Sequence, residues 1–161
     1  GRVVHILAAD GCDLTGIRAM QQALLAAGAV PHVIAPHKGA ITGRRRGDEL
    51  TVDRSFHTAS SAECDALVVA HATGLTGQMA VATYVQSAFR HMKPVAAWGD
   101  GAELLEAAGI AATEPGVFTS EKANRSFAKD IVTALSMHRH WDRADTHPTL
   151  AMLATMAGQE D

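Results

Sequence analysis

The sequence predicts an α/β protein in which a mostly parallel sheet lies between two layers of helices. Short apolar runs of strand length alternate along the chain with longer stretches in which apolar residues recur at helical spacing. This alternation is typical of doubly wound parallel sheets. Hydrophobic residues make up 47% of the chain but aromatic residues only 4%. We therefore expect a three-layer α/β/α sandwich with a core of alanine, valine, leucine and isoleucine.

The first part of the chain predicts a strand, a helix and a second strand. Residues 3–9 form a continuous apolar run, as expected of a strand that is buried on both faces. Residues 14–27 place apolar side chains at helical spacing, and Gly28 can adopt the left-handed conformation that ends many helices. Residues 30–36 are again strand-like. These elements predict two parallel strands joined by a right-handed crossover.

Residues 37–57 predict a hairpin that projects from the main sheet. Glycines interrupt this polar stretch and favour turns, with strands expected at residues 40–42 and 49–52. Three consecutive arginines at residues 44–46 lie between two of the glycines. We interpret this basic run as the solvent-exposed tip of the hairpin.

The remaining predicted elements continue the alternation. Strands are expected at residues 66–70, 94–98 and 116–119, the last at a sheet edge, and helices at residues 78–91, 102–108 and 123–141. The last helix is the longest, and its apolar stripe predicts core positions for Phe127, Ile131, Ala134, Leu135 and His138. Residues 1–143 thus predict one domain, and residues 144–161 a C-terminal tail with a short helix.

Composition argues against several classes of protein. The net charge is −3, so the chain lacks the basic surface that nucleic-acid binding requires. Two cysteines are too few for a disulfide framework, and no apolar stretch is long enough to span a bilayer. The first apolar run is short and is followed at once by polar residues, unlike a secretory signal. We therefore expect a cytoplasmic protein with neither nucleic-acid nor membrane partners.

The loops that follow the strands are the expected location of a functional site, because ligands bind at the carboxyl ends of parallel strands. Three loops qualify, at residues 10–13, 71–74 and 98–101. The last has the strand–turn–helix form that presents a nucleophile in many hydrolases. Here the bend is Gly99-Asp100-Gly101, and glycine tolerates a strained backbone but supplies no nucleophile. We interpret Asp100 as a residue that hydrogen-bonds to the start of the following helix rather than as a carboxylate nucleophile.

Cys12 is the thiol found in these loops, and together with Asp13 it forms the fallback candidate for a catalytic site. No base near Cys12 is specified by the sequence. Cys64 precedes a core strand and is expected to be a buried packing residue. The glycines of the bend do not complete a dinucleotide-binding motif, because Leu104 stands at the third glycine position.

The chain has nine histidines, which raises the question of metal binding. His138 and His140 are two residues apart on a predicted helix, so their side chains point about 200° apart around its axis and cannot chelate one ion. The sequence contains neither a Cys-x-x-Cys nor a His-x-x-x-His motif. We therefore expect the histidines to be structural and predict no metal site.

The segment from Lys93 to Leu105 resembles the nucleophile bend of the class I glutamine-amidotransferase-like superfamily, which contains intracellular cysteine peptidases and amidases. In that pattern a cysteine falls at Gly99, a histidine at Asp100 and an acidic partner of the cysteine at Asp13. The cysteine and the histidine are replaced here, whereas Asp13 keeps a carboxylate. The resemblance therefore implies a flavodoxin-like fold that has lost its nucleophile.

A narrower resemblance covers residues 1–143, which are similar to the C-terminal domain of large-subunit haem catalases. The matching segments are residues 1–11, 33–37, 88–94, 101–109, 127–128 and, most specifically, 138–143 with the sequence HRHWDR. The loop at residues 71–74 departs from the Pro-Gly-Gly-type turn that is usual in that family, and residues after Arg143 lie outside the match.

This resemblance implies a domain appended to a haem enzyme that dismutates hydrogen peroxide. Haem and its ligands lie in other regions of such enzymes, so no cofactor is expected in this chain. The expected partners are the haem-catalase body, other subunits of the oligomer that the domain stabilises, and unfolded clients of a chaperone-like activity. Two alternatives stay open: a free-standing amidase, peptidase or glyoxalase-type hydrolase that uses Cys12 or Asp100, and a small-molecule sensor that uses the cleft between the loops.

Overall fold

A computed structural model describes residues 1–71 and 73–146, with strands and helices in the alternating order that the sequence predicts. The strands are β1 Val3–Leu7, β2 Val30–Ala35, β3 Gly39–Thr42, β4 Glu49–Val52, β5 Arg54–Ser55, β6 Ala66–Val69, β7 Val95–Trp98 and β8 Val117–Ser120. The α-helices are α1 Leu14–Ala26, α2 Met79–Arg90, α3 Gly101–Ala107, α4 Arg125–Met137 and α5 Arg143–Thr146. Short 3₁₀ helices span Ser61–Glu63 and Thr73–Leu75.

The main sheet has six strands in the order β5-β2-β1-β6-β7-β8, and every pair is parallel. Helices α1 and α4 pack against each other, as do α2 and α3, so the sheet lies between two helical layers. The central strands are buried because both of their faces are covered. The predicted flavodoxin-like three-layer sandwich is confirmed, with β5 as an additional short edge strand.

The order in which successive strands are added to the sheet reverses at β1. Strand β2 pairs with one side of β1, and β6 pairs with the other. The crevice formed at such a reversal lies at the carboxyl ends of the strands. The loops after β1, β6 and β7 therefore meet at one edge of the sheet.

Strands β3 and β4 form the predicted antiparallel hairpin outside the main sheet. The arginines at residues 44–46 are exposed at its tip, as expected. The hairpin also packs beside the loop after β1, because the Gly11 N–H donates to the Thr42 carbonyl over 2.8 Å and Cys12 forms an isolated bridge with Gly43. The hairpin thus covers the loop that contains Cys12.

Helix α4 ends at Met137, four residues earlier than predicted. His138 adopts a left-handed conformation with φ of 65°, which stops the helix, and its side chain is exposed. The prediction that His138 faces the core is therefore wrong. The chain then turns back, and the His140 N–H donates to the Met92 carbonyl over 2.8 Å. The predicted tail includes part of α5, and its residues 147–161 lie outside the described residues.

Arg143 attaches the C-terminal segment to the rest of the domain. Its fully buried guanidinium donates five hydrogen bonds of 2.6–3.2 Å to the carbonyls of Phe89, Lys93 and Pro115. It also lies 4.2 Å from the ring centroid of Phe89. Burial lowers the pKa of Arg143 to about 10, so the side chain keeps its charge at neutral pH. One side chain therefore connects the end of α2, the start of β7 and the loop before β8.

Candidate functional site

A cavity of about 400 Å³ lies where the loops after β1, β6 and β7 meet. Asp13 contributes from the first loop, His71 from the second and Gly99 from the third. Arg44 of the hairpin tip and Lys122, which follows β8, also line it. The structure therefore brings together the three loops that the sequence predicts as the site.

The bend at Gly99 has the left-handed geometry of a nucleophile position. Its φ is 58°, a conformation that strains any residue with a side chain. The Gly99 N–H donates to the Ser120 carbonyl of β8 over 2.9 Å. Gly101 begins α3 and is also required, because a Cβ atom there would lie 2.7 Å from the Val69 carbonyl oxygen of β6. The backbone of the bend therefore favours glycine at both positions, and residue 99 supplies no nucleophilic side chain.

The imidazole of His71 occupies the space beside this bend. A Cβ atom built on Gly99 would lie 2.5 Å from His71 Nδ1 and 2.7 Å from its Cγ. Both distances are shorter than the contacts that real Cβ atoms make. The side chain of His71 therefore stands where a nucleophilic side chain at residue 99 would begin. Sequence reasoning named the loop of His71 but assigned the residue no role, because no local spacing links residues 71 and 99.

The side chain of Asp100 lies against His71 and does not cap α3. Its backbone N–H donates to His71 Nδ1 over 2.8 Å, and its Oδ1 atom lies 2.5 Å from the same nitrogen. Asp100 makes no side-chain capping hydrogen bond to the helix. The predicted capping role is therefore wrong: the residue already has helical backbone angles, and its carboxylate is directed to the imidazole.

Asp13 has a structural role that the sequence did not reveal. One carboxylate oxygen accepts a hydrogen bond from the Gly16 N–H over 3.0 Å and so caps α1. The other accepts from the Trp98 indole nitrogen over 3.3 Å. The backbone N–H of Asp13 donates to the His71 carbonyl over 3.2 Å. Asp13 therefore connects all three loops, and both of its oxygens are engaged.

Cys12 is buried beneath the hairpin and is not among the residues that line the cavity. Burial raises the pKa of its thiol to about 11. Because the thiolate is the nucleophilic form, this environment disfavours reactivity at neutral pH. Cys64 is also buried, with its pKa raised to about 11 by burial, and its thiol donates to the Ser61 carbonyl over 3.3 Å.

The histidines and acids of residues 1–71 and 73–146 form no cluster of three or more that could hold a metal ion. In the same part of the chain, no helix has the length and hydrophobicity needed to cross a bilayer. Chemically, the cavity offers an imidazole, two carboxylates and two cationic groups, and no cysteine lines it within the described residues. Such a set can bind small polar molecules or exchange protons, but among the described residues it presents no thiol.

Comparison with known proteins matches residues 1–145 to the C-terminal domain found in long catalases. Similar curated proteins include catalase HPII of Mycobacterium avium, which is 35% identical over 159 residues, and catalase-2 of Bacillus subtilis, which is 28% identical over 145 residues. Catalase HPII of Pseudomonas aeruginosa is 30% identical over 148 residues. Each alignment covers 88% of this chain but only 22%, 21% and 20% of these relatives, respectively.

Proposed function

Since this chain belongs to the family of C-terminal domains found in long catalases, we propose that it is a non-catalytic part of a haem enzyme that dismutates hydrogen peroxide in the cytoplasm. Its role is to stabilise the oligomer of that enzyme. The chain spans about a fifth of the length of the curated relatives it matches, so the catalytic body is a partner outside these residues.

The observation that carries the non-catalytic assignment is the position of the His71 imidazole. It lies against Gly99 and is hydrogen-bonded by the N–H of Asp100, so that even a cysteine introduced at the bend would meet an occupied space. A catalytic site would need that space for both its nucleophile and its substrate. The intact backbone bend thus supports a role as scaffold.

Haem chemistry does not fit the residues of this chain. Haem iron in catalases is held by a tyrosine. Tyr84 is the single tyrosine here, and it is buried in the core with its hydroxyl 2.6 Å from His5 Nδ1. Burial raises the pKa of Tyr84, which disfavours the phenolate form. We therefore assign haem to the body of the parent enzyme.

The assignment is tested first on the chain alone. After incubation with haemin, the purified chain should show no absorption band of bound haem and no oxygen release from hydrogen peroxide above that of free haemin. Haem-dependent turnover by the chain would overturn the proposal.

The stabilising role is tested in a long catalase that carries this domain. We compare the full enzyme with the same enzyme truncated immediately before Gly1, and follow oligomer dissociation in urea by light scattering. The truncated enzyme should dissociate at a lower urea concentration and lose activity several-fold faster on heating. Equal oligomer stability of the two forms would contradict this role.

A chaperone-like activity towards unfolded clients is a further part of the proposal. It is supported by large apolar side chains that are exposed on the domain, which are Leu25, Val30, Met79, Met137 and Trp141. Unfolded chains bind to exposed apolar surface. The chain should then reduce light scattering by a chemically denatured client protein at equimolar concentration, and a lack of effect would remove this part of the proposal.

The alternative of an amidase, peptidase or glyoxalase-type hydrolase has less support from the geometry. The raised pKa of Cys12 and its burial away from the cavity disfavour it as a nucleophile. Asp100 faces an imidazole at 2.5 Å rather than an open substrate position. The reactivity of Cys12 towards iodoacetamide separates the two functions.

A further inference from the structure

A second cavity, of about 700 Å³, lies between α2 and the segment that follows α4. Its wall includes Lys93, which precedes β7, so this cavity lies near the amino ends of the strands, whereas the candidate site lies at their carboxyl ends. Its volume is within the range typical of small-molecule sites. Arg90, Arg139 and Trp141 also line it.

Lys93 is a buried cation in the wall of this cavity. Only 3% of the residue is exposed. Its ammonium group donates to the Ser61 carbonyl over 2.5 Å, and no carboxylate of the described residues lies within ion-pair distance of it. An ammonium group has three donors, and a buried charge is costly unless it is paired. Burial accordingly lowers the pKa of Lys93.

Arg139 adds a second positive charge to the same wall. Its guanidinium donates to the neighbouring His138 carbonyl over 3.0 Å and, within the described part of the chain, pairs with no carboxylate. Arg139 is close enough to Lys93 for their repulsion to contribute to the lowered pKa of Lys93. Arg90, at the end of α2, provides a third charge at the exposed rim. Asp65 is near enough to act on Lys93 in the opposite sense, but it forms no ion pair with it. Three cations therefore line one cavity, and none of them forms an ion pair with a carboxylate of the described residues.

Trp141 and Met92 provide the apolar part of the wall. Met92 is buried, whereas 59% of Trp141 is exposed although the side chain is large and aromatic. The indole ring of a tryptophan can stack on an aromatic ring of a ligand while neighbouring cations bind a charged substituent of that ligand. The cavity therefore combines an apolar face with an anion-binding face.

We propose that this cavity binds a small molecule that carries an aromatic or other apolar ring and one carboxylate, sulfonate or phosphate group. The anionic group lies between the Lys93 ammonium and the Arg139 guanidinium, and the ring packs on Trp141. This site is separate from the bend at Gly99 and does not depend on whether the domain is catalytic.

The experiment compares two probes of the same shape by titration calorimetry of the full chain and by its tryptophan fluorescence, to which Trp98 contributes as well as Trp141. The anionic probe is 2-naphthoate and the neutral probe is 2-naphthamide. 2-Naphthoate should bind at least tenfold more tightly and should quench the tryptophan fluorescence on binding. Equal affinities for the two probes, or no binding of 2-naphthoate at millimolar concentration, would overturn the proposal.

Variants test which charges are used. Arg139→Gln should weaken 2-naphthoate binding at least fivefold and leave 2-naphthamide unchanged. Lys129→Gln removes the same charge from an exposed position on α4 that does not line the cavity, so it should have no effect. Equal weakening by both variants would show a general effect of net charge and would contradict the site. Lys93→Met should abolish the preference for the anion. Because Lys93 is buried, this variant could lose stability; Arg139 is partly exposed, so Arg139→Gln tests the site even if the Lys93 variant does not fold.

Discussion

The His71 side chain and a side chain at residue 99 cannot occupy the same space: a Cβ atom on Gly99 would lie 2.5 Å from His71 Nδ1. The two residues are 28 positions apart in the sequence and meet because β6 and β7 are adjacent, parallel strands whose carboxyl ends lie side by side. His71 therefore fills the space in which a side chain at residue 99 would begin. Substitution of Gly99 by a nucleophilic residue alone would not give an open site.

We expect Gly99→Ala to destabilise the domain more than Gly109→Ala. Both glycines have positive φ, 58° and 77°, so both variants carry backbone strain of about 1–2 kcal/mol. A Cβ atom at Gly109 meets nothing within 4 Å, whereas one at Gly99 meets His71. Overpacking of this kind adds about 1–3 kcal/mol. Urea unfolding of the two variants measures the difference, and equal losses would mean that His71 moves aside without cost.

The contact itself is measured by a double-mutant cycle. His71→Ala should relieve the overpacking caused by Gly99→Ala but not the backbone strain. The loss in free energy of unfolding of the double variant should therefore be smaller than the sum of the two single losses by about 1 kcal/mol or more. Additive effects would show that the two side-chain positions do not compete.

We expect Arg143→Met to destabilise the domain by about 3–5 kcal/mol. The substitution leaves the carbonyls of Phe89, Lys93 and Pro115 without the donors that they have now, and each buried unsatisfied group costs about 1–3 kcal/mol. Urea unfolding followed by far-UV circular dichroism measures the loss. Arg125→Met, at an exposed position on α4, is the matched control and should change stability by less than about 0.5 kcal/mol.

Stability should fall on acidification between pH 7 and pH 5 because of His5. Burial lowers the pKa of His5 from 6.5 to about 4, so the unfolded chain takes up its proton first. The stabilisation is complete above pH 6.5 and is lost as the pH falls towards 4; between pH 7 and pH 5 the loss is about 2 kcal/mol. Burial also lowers the pKa of His140, which adds a change of the same sign.

Urea unfolding at several pH values tests this slope. His5→Asn should make it shallower, since an asparagine does not titrate. His57→Asn removes an exposed histidine and should leave the slope unchanged. A slope that is the same in the His5 variant and in the unaltered chain would show that His5 does not cause the loss.

Native Cys12 and Cys64 should react with iodoacetamide at pH 7.5 at least about 100-fold more slowly than an ordinary cysteine. Burial raises the pKa of each thiol from 9.0 to about 11, which lowers the thiolate fraction by about that factor. Mass spectrometry follows the labelling, with Cys12→Ser and Cys64→Ser to assign the sites. Both thiols should react rapidly in 8 M urea. Rapid, stoichiometric labelling of native Cys12 with loss of a hydrolytic activity would favour the hydrolase.

Much of the architecture follows from local patterns. Residues 3–7 and 66–69 are strands because β-branched and aliphatic runs of that length fit a sheet that is covered on both faces. The hairpin after β2 follows from its glycines, and the bend at Gly99 follows from a strand, a glycine and a helix in succession. The end of α4 does not follow from the sequence, since it depends on a positive φ at His138, a conformation that is uncommon for residues other than glycine.

The sequence by itself determined the layer order of the fold and the lack of a nucleophile at the bend, because periodicity and residue identity are local properties. Only the tertiary structure decided that His71 fills the space at Gly99, that Asp100 faces His71 instead of capping a helix, and that Lys93 and Arg139 share a cavity. These relationships join residues that are 28 to 46 positions apart in the sequence, and they depend on which strands become neighbours. The physical reason is that strand order and helix packing set such distances, and neither is written in the spacing of adjacent residues.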